Sequence, residues 1–267
     1  MTKPFSAIEV ANVCNGMLEP SVYEAIYREA LIAEPPVFVE IGTAHAAVTV
    51  CLAMAIRDSG RDGIVYTFDK ISGGSRDSFG TVERNLEIIR SNLEYFDVAK
   101  LVSMNLGDVA ETAFNFPKDL TIGMLVLDAD GRIDRDFRLF YDQVVYEGAI
   151  VIDDVCNKSR LKKISSGIFK KQYAIDLKHR LSFSLLKLFQ SKGIVSQGCF
   201  IGPVTWKGAR LSSDPFAVSY EESLEVYSDL VFSDAEVLTI PFRKMINKFA
   251  YKYFSRETKQ KIKARLP

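Results

Sequence analysis

Five short apolar runs rich in β-branched residues, each followed by a stretch of helical period, constrain this 267-residue chain more than any other feature. Val37–Ile41, Ile64–Phe68, Leu101–Met104, Met124–Leu127 and Ala149–Ile152 read as strands that are apolar on both faces. Only a sheet covered by helices on both sides buries such strands. Their alternation with helices dictates right-handed crossovers and a doubly wound, mostly parallel α/β sheet. Helices are expected from Ser21 to about Ile32, from Ala46 to Arg57, from Ser78 to Leu93, near Ala110, and from Asp134 to Tyr146. Ser21 with Glu24 three residues on has the form of a capping box, and Pro35-Pro36 ends that helix.

After Ile152 the pattern changes. A basic, largely helical stretch is expected to about Ser191, and Gly193–Ile201 and Val204–Lys207, separated by Gly202-Pro203, read as a strand pair. With the five parallel strands these make a seven-stranded sheet closed by a C-terminal antiparallel hairpin. One domain is therefore expected over residues 1–211, with a basic segment at 157–192, and an acidic segment with a basic helix over 212–267.

Charge is segregated along the chain, although 34 basic and 34 acidic residues cancel. Between Cys156 and Lys192 ten Lys or Arg face Asp176 alone, and from Phe242 onward nine face Glu257 alone. Between Ser212 and Pro241 seven acids face no base. The last basic block has Phe242, Met245, Ile246, Phe249, Ala250, Tyr253 and Phe254 at helical spacing, an amphipathic helix suited to the body, to a partner copy or to a membrane surface. The chain shows no run long enough to span a bilayer and no secretory leader, and a cytoplasmic location is expected. Its four cysteines lack metal or disulfide spacing.

In an open parallel sheet, ligands bind at the carboxyl ends of the strands, where helix N-termini point their amides. Five loops lie there. Glu40-Ile-Gly42-Thr43-Ala44 is a small-residue turn behind a carboxylate, Phe68-Asp69 sets an acid at a strand tip, and Gly107-Asp108 pairs an amide with an acid. A dinucleotide fingerprint would require three glycines at the first of these loops, where Gly42 stands alone, so a cofactor without a pyrophosphate fits better. The remaining loops carry Asp128, Asp130 and Gly131 after one strand and Asp153-Asp154 after its neighbour. Tips of adjacent strands lie about 4.8 Å apart, so these acids can converge on one hard cation such as Mg²⁺.

Taken in order, these motifs resemble the class I S-adenosylmethionine-dependent methyltransferases, and among them the metal-dependent O-methyltransferases of the catechol, caffeoyl-CoA and macrolide-sugar type. The resemblance covers roughly residues 20–157. It implies a Rossmann-like fold in which Glu40, Gly42, Thr43 and Ala44 line the methionine side of S-adenosylmethionine. By the same likeness Asp69 binds the ribose, Gly107 and Asp108 the adenine, and Asp128, Asp153 and Asp154 hold Mg²⁺ or another divalent cation, Asp128 also bordering the cofactor. The sequence departs from the pattern twice. Ala46 stands where relatives often have glycine, and Gly131 stands where they carry a Lys or His base, which leaves Asp130 as the candidate base. The activity implied is methyl transfer to a hydroxyl of a small molecule or glycan. The basic segment suggests an anionic acceptor, no nucleic acid is expected as a partner, and a homo-oligomer is compatible with the pattern. The rival readings are a cofactor-binding protein without turnover and an NAD(P)-dependent oxidoreductase.

Overall fold

The computed structural model describes residues 3–71, 80–157, 160–166, 171–176, 178–197, 207–211, 218–228 and 230. Two helices, α1 (Ala7–Val13) and α2 (Pro20–Ile32), precede a Rossmann-like succession: β1 (Val37–Ile41), α3 (Ala47–Ser59), β2 (Ile64–Asp69), α4 (Val82–Tyr95), β3 (Val102–Leu106), α5 (Val109–Thr112), β4 (Ile122–Leu127), α6 (Ile133–Phe140) and β5 (Val144–Ile152). These five strands pair in parallel in the order β3-β2-β1-β4-β5. The order reverses beside β1, and that reversal opens the crevice into which such folds receive ligands.

Strand periodicity splits the sheet's side chains between two cores. Phe38, Val65, Met124, Val126 and Val151 face the layer of α1 to α4, while Val39, Ile41, Leu125, Leu127 and Ile152 face the other cluster, which includes residues of α6 and α7 (Lys178–Ser191). Helix α3 is buried at ten consecutive residues, Ala47 to Ile56, because α2 covers its outer side. A helix apolar all round needs this enclosure.

Several expectations are corrected. Helix α2 begins at Pro20 with Glu19 as its N-cap and no side-chain cap, so the Ser21–Glu24 box does not form. Proline needs no amide partner in the first helical position and fixes the start one residue earlier. Helix α6 ends at Phe140 rather than near Tyr146, because Val144 is already paired with Ile122 of β4 at the start of β5. The basic stretch is not largely helical throughout: β6 (Arg160–Ser166) and β7 (Lys171–Asp176) form a separate antiparallel pair before α7. Five strands of the sheet are parallel, as the sequence pattern requires. At its β5 edge β9 (Lys207–Leu211) runs antiparallel, followed by β8 (Val195–Gln197). The expected turn at Gly202-Pro203 lies outside the described residues, as does the basic helix expected from Phe242 onward.

Helix α8 (Tyr220–Ser228), in the acidic segment, packs on the body. Val218 is buried in the α6–α7 core, Arg138 donates to its carbonyl at 2.7 Å, and Tyr227 donates to Asp134 at 2.7 Å. Among the described residues no helix is long and apolar enough to cross a membrane. Cys14 and Cys51 are buried free thiols pushed up by desolvation, Cys14 to about 12, which suits core filling rather than nucleophilic chemistry.

Candidate active site

The tips of β3, β2, β1, β4 and β5 stand side by side along the carboxyl edge of the sheet, a row spanning about 19 Å at ordinary strand spacing. At its centre is the turn after β1. Gly42 has a φ of +103°, and any Cβ there would collide with the backbone carbonyl of Asp128. Its amide donates to Phe68 O at 2.9 Å, and the Asp128 amide donates to Ile41 O at 2.8 Å. Glycine therefore lets the β1 turn lie flat against the β4 tip, and a side chain would part them.

Glu40 is fully buried behind this turn and accepts from Thr49 Oγ1 at 2.5 Å. Burial pushes its carboxyl up to about 8, against the opposing effect of hydrogen bonds from Thr49 and Thr67. Thr43 is also buried, its hydroxyl bonded to that of Thr67, so its side chain braces β1 against β2. Ala44 donates its amide to Asp69 Oδ2 at 2.9 Å, while Ile71 N donates to Oδ1 at 2.7 Å. Both Asp69 oxygens are thereby oriented, and each keeps a lone pair for a diol. Ala46, at the glycine-like position, enters α3 in the left-handed conformation with φ +67°.

One tip further out, Gly107 donates its amide to Asp69 O at 3.0 Å. Asp108 caps α5 by accepting from Ala110 N and pairs with Lys70 Nζ at 2.6 Å, which holds its carboxyl below the usual range. Glu40, Gly42, Thr43, Ala44, Asp128 and Asp153 line a single cleft, whereas Asp69 and Asp108 stand beyond it along the edge. A wall of this cleft that the sequence did not announce comes from the α1–α2 connection, residues Asn15 to Leu18. Leu18 N donates to Tyr23 Oη at 3.2 Å, which pins that connection down.

Asp128, Asp153 and Asp154 do converge, but around a lysine. Lys178 Nζ lies 2.7 Å from Asp154 Oδ2, 3.6 Å from Asp128 Oδ1 and 4.0 Å from Asp153 Oδ2. His179 Nε2 is 2.7 Å from Asp154 Oδ1. Burial pushes Asp154 up, yet the His179 imidazole and the Lys178 ammonium pull it well below the carboxylate range. Asp128 is held up to about 6 by burial, with Lys178 opposing, and Asp153 is raised by burial and by its two acidic neighbours. Asp153 Oδ1 is buried without a hydrogen-bond partner among the described residues.

The expected divalent ion does not fit this arrangement. Among the described residues no group of three or more His, Cys, Asp or Glu is disposed to hold a metal. Asp154 has both oxygens engaged by Lys178 and His179. A doubly charged ion about 4 Å from an ammonium would meet roughly 8 kcal/mol of repulsion at an effective dielectric constant of 20. The correction has a steric root: Gly131, with φ +84°, faces Lys178, whose carbonyl would lie 2.8 Å from any added Cβ. Glycine at 131 makes room for the first turn of α7.

Asp130, the candidate base, is half-exposed and accepts from both terminal nitrogens of Arg135 at 3.2 Å, and from Arg132 N at 3.1 Å. Its oxygens are taken up by these donors and it does not line the cleft, so the geometry does not favour it as a base. Lys178 and His179 went unassigned in sequence because only folding of the segment after Asp154 carries them back to the strand tips.

Residues 39–155 match the family model described as a methyltransferase domain. The fold is similar to that of the O-methyltransferase from Bacillus cereus in complex with SAH, at 18% identity over 79% of this chain and 93% of that one, TM-score 0.53. It is similar to the O-methyltransferase TomG from Streptomyces achromogenes, in complex with SAM, at 16% identity over 80% and 92%, TM-score 0.53. The SAH-bound methyltransferase PaMTH1 from Podospora anserina is 12% identical over 80% and 90%, TM-score 0.53. No curated protein matches by sequence. The doubly wound sheet with acids along its carboxyl edge is a Rossmann-like fold, and that edge is where such folds receive ligands. The matched segment narrows this further: residues 39–155 are similar to a methyltransferase domain, and the O-methyltransferases above share the fold.

Proposed function

We propose that this enzyme transfers the methyl group of S-adenosylmethionine to a hydroxyl oxygen of a small molecule or glycan of anionic character. The observation that carries the cofactor half is the row of tips: buried Glu40 beneath the Gly42 turn, then Asp69 with both oxygens oriented by backbone amides. The B. cereus and TomG structures, O-methyltransferases in complex with SAH and SAM, support the same cofactor and oxygen as the acceptor atom. The acceptor oxygen attacks the sulfonium methyl in line, the carbon–sulfur bond breaks, and S-adenosylhomocysteine and a proton are released. Holding the two reactants in this alignment supplies most of the acceleration, and no residue here needs to bond covalently to the methyl group.

An anionic acceptor is supported by the β6–β7 pair. The chain leaves the strand tips at Asp154, six residues before this basic pair begins, and is back at them at Lys178, two residues after it ends, with Asp154 and Lys178 2.7 Å apart. Calorimetry should give stoichiometric binding of S-adenosylmethionine with NAD and NADP silent, and labelled methyl should pass to hydroxylated acceptors bearing negative charge. Replacing Lys162, Lys163, Lys170 and Lys171 together by Ala should weaken the acceptor roughly tenfold or more at low salt and flatten its salt dependence. Unchanged acceptor affinity would remove the anionic reading. Cofactor binding without transfer to any hydroxylated compound would remove the activity itself.

A further inference from the structure

Lys178 is the first residue of α7, and its ammonium reaches all three acids at the β4 and β5 tips. Three carboxylates in one pocket cannot all stay charged unless a cation joins them. The positive end of a 14-residue helix adds to the same field. Gly131 is part of the device, since a side chain there would press on the Lys178 backbone and displace the helix start. The orphaned Asp153 Oδ1 marks where capacity for a second cation remains once the lysine is taken away.

We propose that the Lys178 ammonium is the resident cation of this acidic centre, holding Asp128, Asp153 and Asp154 in place of a divalent ion, so that methyl transfer requires no added metal. Lys178 is a positioning residue in this scheme: it fixes the carboxylates that border the cleft. The centre exchanges one lysine for one ion, and removing the lysine exposes a trio of hard oxygen ligands of the type that Mg²⁺ and Mn²⁺ prefer.

The test is Mn²⁺ binding followed by electron paramagnetic resonance on the full chain, with S-adenosylmethionine binding measured in parallel as the check on folding. The wild-type protein should leave the free Mn²⁺ signal undiminished. Lys178→Ala and Lys178→Gln should each take up one Mn²⁺, at least ~100-fold more tightly than wild type, as expected when a neighbouring positive charge is removed. Asp153→Asn added to Lys178→Ala should abolish that uptake, an outcome that a merely structural lysine would not produce. Stoichiometric Mn²⁺ binding by the wild-type protein, lost on Asp153→Asn, overturns the proposal, and this arm decides even if both lysine variants fail to fold. Variants that still bind S-adenosylmethionine but gain no Mn²⁺ also overturn it. The activity arm rests on the function proposed above: transfer should persist in excess EDTA, and loss there with restoration by Mg²⁺ sinks the inference. If no acceptor is found, the Mn²⁺ arm stands on its own, so the two failures are distinguishable.

Discussion

The two halves of the carboxyl edge are built on different physics. Around β1, β2 and β3 the polar groups are settled mainly by neutral donors: Thr49 serves Glu40, the Ala44 and Ile71 amides serve Asp69, and the Ala110 amide serves Asp108. Around β4 and β5 the acids are settled by a lysine and a histidine that arrive from the next helix, more than twenty residues later in the chain. The first half is a set of neighbouring turns held together largely by neutral hydrogen bonds. The second is an electrostatic assembly that exists only when the whole domain has closed, and disturbing it should cost more.

The largest effect is expected at Asp154. Asp154→Ala leaves the mostly buried Lys178 without its nearest partner, and the loss should be about 3–5 kcal/mol, read as a shift of the urea midpoint. A change below 1 kcal/mol would mean that the assembly is no more than a surface pairing. Next comes Gly42→Ala on the other half, where a side chain meets the Asp128 carbonyl at a positive φ; about 1–3 kcal/mol should be lost, with cofactor affinity falling more steeply than stability. If calorimetry finds the cofactor bound normally, the β1 turn and the β4 tip do not need to touch.

The smallest effect concerns Glu40 and carries a sign. Its folded carboxyl is raised from an ordinary 4.5 to about 8, so between those values the folded chain holds a proton that the unfolded chain has released. Stability contributed by this group is therefore fully present below pH 4.5 and falls as pH rises toward 8. Glu40→Gln removes that dependence. Its melting temperature relative to wild type should climb across this window, with a gain of roughly 2 kcal/mol by pH 8 after the loss of charged hydrogen bonding is set against the relieved desolvation. A difference independent of pH would show that Glu40 keeps its charge in the free enzyme.

The same division decided what the sequence could tell. The parallel strands, the Gly42 turn and the acids at the tips of β2 and β3 were legible because each is a local pattern, a β-branched run meeting a turn residue. Helix α6 was read too long because Val144-Val145-Tyr146 continues an amphipathic count that only pairing with β4 interrupts. The convergence of Asp128, Asp153 and Asp154 followed from strand adjacency. The identity of their cation did not, since Lys178 lies within a basic block whose return to the sheet depends on the β6–β7 pair. Gly131 was a visible signal, but as an apparent loss of a base; its meaning as clearance for α7 required the packed structure.

The α1–α2 connection, held by Tyr23 against the cleft, lies wholly outside the stretch that matches the methyltransferase family. An enzyme trimmed to the matched stretch would keep its strand tips yet stand open to solvent along one flank, like a drawer without its side panel. What matches the family model and what walls the cleft are thus different lengths of chain, and the second begins well before the first.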